Sequence, residues 1–131
     1  MLALLHDPVT RVLTFTGAGG SGKTRLAVQA AAEVVDDHEH GVWWIPLQAV
    51  REPALVLPEI GSALGARGEP ADHIGERRML LVLDNFEQVV DAAPRLGELL
   101  SVCSNLRLLV TSRELLRLAA EREYPVPPLV E

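Results

Sequence analysis

The sequence predicts an α/β fold with a parallel sheet. Apolar, strand-like runs alternate with helix-forming segments along the chain, without repeats or low-complexity tracts. The run at residues 79–84 is apolar up to its final aspartate, which is typical of a strand covered on both faces. A glycine-rich loop connects the first apolar run to the first helical one. Together these features favour a three-layer sandwich, with helices on both sides of one sheet.

Five strands and four helical segments are predicted. The strands lie at about 11–16, 41–47, 79–84, 106–111 and 123–127, and the helices at about 23–37, 53–65, 87–102 and 113–120. Pro53 suits a first helical turn and Gly65 a C-terminal cap, whereas Pro58 is expected to split the helix between them. Residues 66–78 are predicted to form an irregular polar connection without a helix.

Two prolines predict the order of the strands. Proline cannot donate to a sheet ladder, so Pro46 and Pro125 place the second and fifth strands at the edges. The order 5-1-4-3-2 meets this condition and buries the three apolar strands. Ligands of such sheets bind at the carboxyl ends of the strands, where the glycine-rich loop, Asp84 and residues 111–113 would meet.

Composition limits the protein to a few classes. The chain has 131 residues, enough for one domain, and a formal net charge of −6, which argues against direct binding to nucleic acid. Its single cysteine, Cys103, excludes an internal disulfide and fits a reducing compartment. No apolar run is long enough to cross a membrane, and the first eight residues do not form a signal peptide. We expect a cytoplasmic protein.

Residues 17–24 read Gly-Ala-Gly-Gly-Ser-Gly-Lys-Thr and match the phosphate-binding motif G-x-x-x-x-G-K-[ST]. Glycines let the backbone N–H groups approach an anion closely at the positive end of a helix. Lys23, the only lysine, would reach the β- and γ-phosphates, and the Thr24 hydroxyl would ligate Mg²⁺. The predicted phosphate-binding residues are Gly17, Ala18, Gly19, Gly20, Ser21, Gly22, Lys23, Thr24 and Arg25. The alternative is a glycine turn that binds nothing.

Three further candidate residues lie at the ends of the third and fourth strands or directly after them. Asp84 ends a Walker B-like strand and is predicted to bind Mg²⁺ through water, the alternative being an aspartate that begins a turn. Asn85 stands where efficient ATPases of this kind often carry glutamate, and an amide cannot accept a proton. Asn85 either orients water or caps the following helix, and we favour a cap that forms a capping box with Gln88. Glu87 is a candidate substitute base, although a glutamate in a first helical turn more often interacts with the helix dipole. Because the Asn85 amide cannot accept a proton, we expect slow ATP hydrolysis. Arg113 either contacts the γ-phosphate or is an ordinary exposed arginine.

Five segments in order carry a family resemblance: GAGGSGKTRLA at 17–27, GVWWIPL at 41–47, MLLVLDNFEQV at 79–89, LRLLVTSRE at 106–114 and EREYPVPPL at 121–129. This set resembles the STAND class of signal-transduction ATPases, the NB-ARC-like group, and within it the ATPase domains of bacterial SARP- and LuxR-type transcriptional regulators. The resemblance implies an ATP/ADP switch with Mg²⁺. It also implies Lys23, Asp84 and Arg113 as the catalytic residues, with Arg113 as the sensor.

The chain departs from the family pattern in two ways. It has no adenine-contacting Gly-Arg-Glu segment before the first strand, and no helical or winged-helix domain after the fifth. Residues 1–131 are therefore interpreted as one nucleotide-binding core, a fragment of a larger regulator whose other domains would be its partners. Exposed Trp43, Trp44 and the fifth strand predict weak self-association.

Two other functions remain open from the sequence. The first is a P-loop small-molecule kinase or transferase, although no lid rich in arginine is evident. The second is an interaction module with a vestigial nucleotide site. Any enzymatic activity is expected to be a weak ATPase activity.

Overall fold

The computed structural model describes residues 2–7, 9–19 and 22–128. Its strands are β1 (Val12–Thr16), β2 (Val42–Pro46), β3 (Leu80–Asp84), β4 (Arg107–Ser112) and β5 (Glu121–Pro125). Its α-helices are α1 (Leu2–His6), α2 (Lys23–Glu33), α3 (Val56–Leu64), α4 (Pro70–Ile74) and α5 (Ala93–Val102). Short 3₁₀ segments cover Val35–Asp37, Pro53–Leu55 and Glu87–Ala92. The arrangement confirms the predicted α/β sandwich.

All five strands are parallel and lie in the order β2-β3-β4-β1-β5. This is the predicted order read from the other edge. β1 pairs with β4 on one side and β5 on the other, so that Thr14 lies opposite both Val110 and Glu123. The two proline-bearing strands are at the edges, where a missing backbone donor costs no ladder hydrogen bond.

The sheet has a hydrophobic core on each face. Leu81 and Leu83 of β3 pack in the cluster that contains buried residues of α3 and α5, whereas Leu80 and Val82 pack in the cluster that contains those of α2. Alternate side chains of a strand point to opposite faces, so an apolar strand between two helical layers buries all of them. Full burial of each such side chain contributes about 1.5–3 kcal/mol. The central strands are thereby held rigidly beneath the loops at their carboxyl ends.

Of two predictions between β2 and β3, one was confirmed and one was wrong. The helical region at 53–65 is split, as expected, into the 3₁₀ segment Pro53–Leu55 and α3, and Pro58 lies in the first turn of α3, where a backbone N–H has no helical partner to lose. Residues 66–78 are not wholly irregular, since α4 forms within them and begins at Pro70. Pro70 and Ile74 are buried there. Gly65 caps α3 as predicted, with a φ of 72° in the left-handed region.

The predicted helices near 87–102 and 113–120 also need correction. The first is divided into the 3₁₀ segment Glu87–Ala92 and α5, with Pro94 in the first turn of α5. Residues 113–120 form no helix; a bend at 113–114 and a turn at 119–120 flank an irregular segment, and Arg117 and Ala120 have φ values of 63° and 61°. Residues with such dihedrals cannot continue a right-handed helix.

Candidate functional site

The predicted phosphate loop connects the carboxyl end of β1 to the amino end of α2. Gly22 directly precedes α2 with a φ of 85°, and its carbonyl accepts the N–H of Leu26 at 3.0 Å. The left-handed backbone conformation at this turn favours glycine, because a side chain would strain the backbone there. Gly17, Ala18 and Gly19 lead out of the strand, while Gly20 and Ser21 fall outside the described residues.

Lys23 lies over the loop that precedes it. Its side chain is buried, and its ammonium group donates to the carbonyl of Gly17 and, at 3.5 Å, to that of Ala18. The only lysine of the chain is thus held at the loop by neutral acceptors rather than by a carboxylate. A phosphate oxygen would be a stronger acceptor for the same ammonium group. Arg25, the last predicted phosphate contact, is exposed on the first turn of α2.

Asp84 connects three elements at the carboxyl edge of the sheet. Its Oδ1 accepts the hydroxyl of Thr24 from α2 at 3.0 Å and the hydroxyl of Thr111 from β4 at 2.7 Å. Asp84 is only 5% exposed, so these two hydroxyls donate the hydrogen bonds that water would otherwise supply to its carboxylate. The structure therefore brings together the two residues predicted from separate motifs to bind Mg²⁺.

The oxygen atoms of Thr24 and Asp84 suit a hard cation as ligands. A hydroxyl and a carboxylate oxygen are the ligands that Mg²⁺ takes from proteins, with phosphate and water completing its octahedron. Across the described ranges, no three His, Cys, Asp or Glu side chains are grouped closely enough to hold a metal ion by themselves. Thr24 and Asp84 would therefore hold Mg²⁺ only together with a nucleotide.

The predicted capping box at Asn85 and Gln88 was wrong. Asn85 has a φ of 62°, and Phe86 occupies the position before the 3₁₀ segment, which has no side-chain cap. The Asn85 amide nitrogen instead lies 3.4 Å from both Asp84 Oδ2 and Gln48 Oε1. Gln88 donates to three carbonyls in the loop after β2, at residues 47, 48 and 50. Asn85 is thus part of the site edge, and Gln88 holds the neighbouring loop.

The predicted sensor, Arg113, lies beside the phosphate loop. Arg113 follows β4 and is exposed, yet a Cβ placed on Gly19 would be only 3.5 Å from its Nη2, so the guanidinium lies against the phosphate loop. Its role as a sensor stays a prediction.

Glu87 begins the 3₁₀ segment, and its Oε1 is buried without a hydrogen-bond partner among the described residues. Cys103 is fully buried directly after α5, and burial raises the pKa of its thiol.

Glu121 is a residue that the sequence did not reveal. Its carboxylate accepts the backbone N–H groups of residues 116–118 at 2.8 to 3.3 Å, and the hydroxyl of Thr14 at 2.5 Å. These bonds explain why the loop after Arg113 is not helical, since its N–H groups donate to a carboxylate instead of to helical carbonyls. No local pattern indicates this role, because Thr14 is 107 positions away along the chain.

Glu121→Gln is expected to destabilise the fold by about 1–3 kcal/mol. The glutamine amide is uncharged and has a single acceptor oxygen, whereas four groups, three backbone N–H groups and the Thr14 hydroxyl, donate to the Glu121 carboxylate. Urea unfolding measures the loss. Glu123→Gln is the matched control, since Glu123 accepts only the hydroxyl of Thr16 among the described groups. Equal losses in the two variants would show that the backbone bonds of Glu121 carry little energy.

The fold and the site together define a P-loop nucleotide-binding fold. Its evidence is the strand order, the glycine-rich loop between β1 and α2, and an aspartate at the end of β3 that contacts the threonine of that loop. Cdc6p from Pyrobaculum aerophilum is similar, with a TM-score of 0.56, 20% identity, and coverage of 86% of this chain and 38% of its own. The Aeropyrum pernix ORC2 protein, solved as ADPNP–ADP complexes, has a TM-score of 0.58 and 16% identity, covering 88% and 41%.

The chain also has sequence relatives among mycobacterial proteins. A Mycobacterium tuberculosis protein named as a candidate HTH-type transcriptional regulator is 38% identical over 138 residues, covering 98% of this chain. The chain spans only 15% of that relative's length. No protein-family model matches the chain. Throughout the described part of the chain, no helix has both the length and the apolar character needed to cross a membrane.

Proposed function

We propose that this chain is the nucleotide-binding core of a STAND-class signal-transduction ATPase, and that it binds ATP or ADP with Mg²⁺. The observation that carries the proposal is the 3.0 Å hydrogen bond between Thr24 and Asp84. This bond joins the two residues predicted to bind Mg²⁺, which are 60 positions apart in the sequence, and Thr24 directly follows Lys23.

Under this proposal, residues Gly17 to Arg25 hold the phosphates, and Arg113 senses the γ-phosphate from its place beside Gly19. The chain hydrolyses ATP slowly. The residue after Asp84 is an amide that lies near Asp84 Oδ2 and Gln48, and an amide cannot take a proton from an attacking water. Slow hydrolysis suits a switch whose state is set by which nucleotide is bound, rather than a motor.

The proposed setting is a cytoplasmic transcriptional regulator. The relative named for an HTH-type regulator supports this setting, and the other domains of such a regulator would be the partners of this one. Weak self-association is a further part of the proposal. Trp44 is 40% exposed on the edge strand β2, where both an apolar ring and free ladder groups are available. Sedimentation velocity over a wide concentration range tests it, and a monomer throughout would contradict it.

Calorimetric titration of ADP and ATP, with and without Mg²⁺, tests the central proposal. We expect saturable binding of both nucleotides, tighter for ADP, and phosphate release far below the roughly 10 s⁻¹ of a typical enzyme. A folded chain that binds neither nucleotide would support an interaction module with a vestigial site. Transfer of the γ-phosphate to a small acceptor would instead support the kinase alternative.

A further inference from the structure

A cavity lies at the amino ends of the strands, at the opposite edge of the sheet from the phosphate loop. It has a volume of about 510 Å³ and is lined by residues that include Arg11, Arg78 and Arg107. Arg11 directly precedes β1, Arg107 begins β4, and Arg78 lies two residues before β3. The five residues of β1 separate this cavity from the phosphate loop by about 16 Å.

Two of these arginines are held in place by the backbone. Arg11 donates through Nε to the carbonyl of Leu106 at 3.0 Å, and through Nη2 to those of Leu100 and Cys103 at 3.0 and 2.6 Å. Arg107 donates through Nη1 to the carbonyl of Leu5. Within the described residues, Nη1 of Arg11 and both Nε and Nη2 of Arg107 make no hydrogen bond to protein. Each guanidinium is therefore fixed and still has N–H groups to donate.

The charge of the cavity is unbalanced. Its lining contains three arginines and a single carboxylate, Asp37, which lies 3.0 Å from Nε2 of His6. That contact is the only one within 4 Å between a basic and an acidic side chain among the described residues, so none of the three guanidiniums has a carboxylate partner. Burial first, and then the charge of Arg107, lowers the pKa of Arg11. A chain of net charge −6 thus concentrates uncompensated positive charge in one concave place.

We propose that this cavity binds a compact polyanion, a small molecule bearing phosphate or carboxylate groups. Guanidinium groups fixed in advance bind such oxyanions well, because little side-chain freedom remains to be lost on binding. The cavity volume lies within the range of small-molecule sites, and Ser104 and Asn105 add polar groups to its wall. The proposal is independent of nucleotide binding at the phosphate loop.

The test uses the 131-residue chain carrying Lys23→Ala, which weakens the phosphate loop. Calorimetric titration with inorganic pyrophosphate, and separately with citrate, is expected to show saturable binding of at least one probe. Adding Arg107→Gln should weaken that binding by about tenfold, the effect of losing one charge-assisted contact. Arg78→Gln serves as a second variant, since Arg78 is exposed and its side chain makes no hydrogen bond to a described residue. Arg67→Gln, an exposed arginine outside the cavity, is the control and should change nothing.

The outcomes separate the sources of the anion. Tighter pyrophosphate binding assigns a phosphate compound, and tighter citrate binding assigns a carboxylate compound. Failure of the folded chain to bind either probe would overturn the proposal, and so would binding that neither Arg107→Gln nor Arg78→Gln weakens. ADP titrated into Arg107→Gln with Lys23 intact reports separately on the phosphate loop, so the two sites are judged independently.

Discussion

Replacing Lys23 with alanine is expected to weaken ATP and ADP binding by about 10- to 100-fold. A hydrogen bond to a charged group contributes about 1.5–3 kcal/mol, and each 1.4 kcal/mol is a tenfold change in affinity. No other lysine exists in the chain to replace it. In the structure the ammonium group is held at the loop by the carbonyls of Gly17 and Ala18, so it can turn to a phosphate without crossing the protein. Calorimetric titration measures the loss.

Two matched variants make the Lys23 result specific. Lys23→Arg keeps the charge but places a planar fork in a buried position, and we expect it to recover only part of the affinity. Arg67→Ala removes an exposed positive charge far from the loop in sequence and should leave the affinity unchanged. Circular dichroism establishes that each variant is folded. If Lys23→Ala binds nucleotide as tightly as the unaltered chain, the glycine-rich loop is not the phosphate site.

Replacing Asp84 with asparagine is expected to remove most of the effect of Mg²⁺ on ATP affinity and to destabilise the chain by about 1–3 kcal/mol. The two hydroxyl donors, Thr24 and Thr111, would keep an oxygen acceptor, but two charge-assisted bonds would become neutral ones of about half the strength. An amide is also a weak ligand for Mg²⁺ and its bound waters. Urea unfolding measures the stability, and titration with and without Mg²⁺ measures the metal effect.

The control for Asp84 is Asp91→Asn. Asp91 is exposed in the 3₁₀ segment that follows the site, so its loss of charge should alter neither quantity. The magnesium assignment would be contradicted if Asp84→Asn bound ATP with the same dependence on Mg²⁺ as the unaltered chain. Asp84 would then be a structural acceptor for Thr24 and Thr111 alone.

The site could be predicted from sequence where a local pattern implies its own geometry. The loop at 17–24 required a strand before it and a helix after it, and β1 and α2 are in those places. Residues such as Glu121 and Gln88 could not be predicted in the same way. Glu121 accepts hydrogen bonds from Thr14 and from the loop after Arg113, and Gln88 donates to carbonyls about 40 positions away. A side chain's distant partners are determined by packing and have no local sequence pattern.

Asn85 illustrates the boundary between the two kinds of information. Its spacing to Gln88 predicted a helix cap, since both residue types suit one. The folded chain instead offers the Asn85 N–H a bond to the Thr111 hydroxyl at 2.9 Å, and the backbone takes a φ of 62° to make it. Asparagine tolerates this left-handed conformation better than most residues. Tertiary hydrogen bonding therefore decided between two local structures that asparagine can adopt.

By itself the sequence determined the α/β class, the order of the five strands and the position of the glycine-rich loop. Apolar runs must be buried, proline cannot donate to a central ladder, and glycine can adopt a left-handed turn beside an anion; each is a property of residues in their local setting. Only the tertiary structure decided which hydroxyls meet Asp84, what holds the loop after Arg113, and that Arg11 and Arg107 face one cavity. These contacts join distant positions, and they exist only once the sheet has brought its strand ends together.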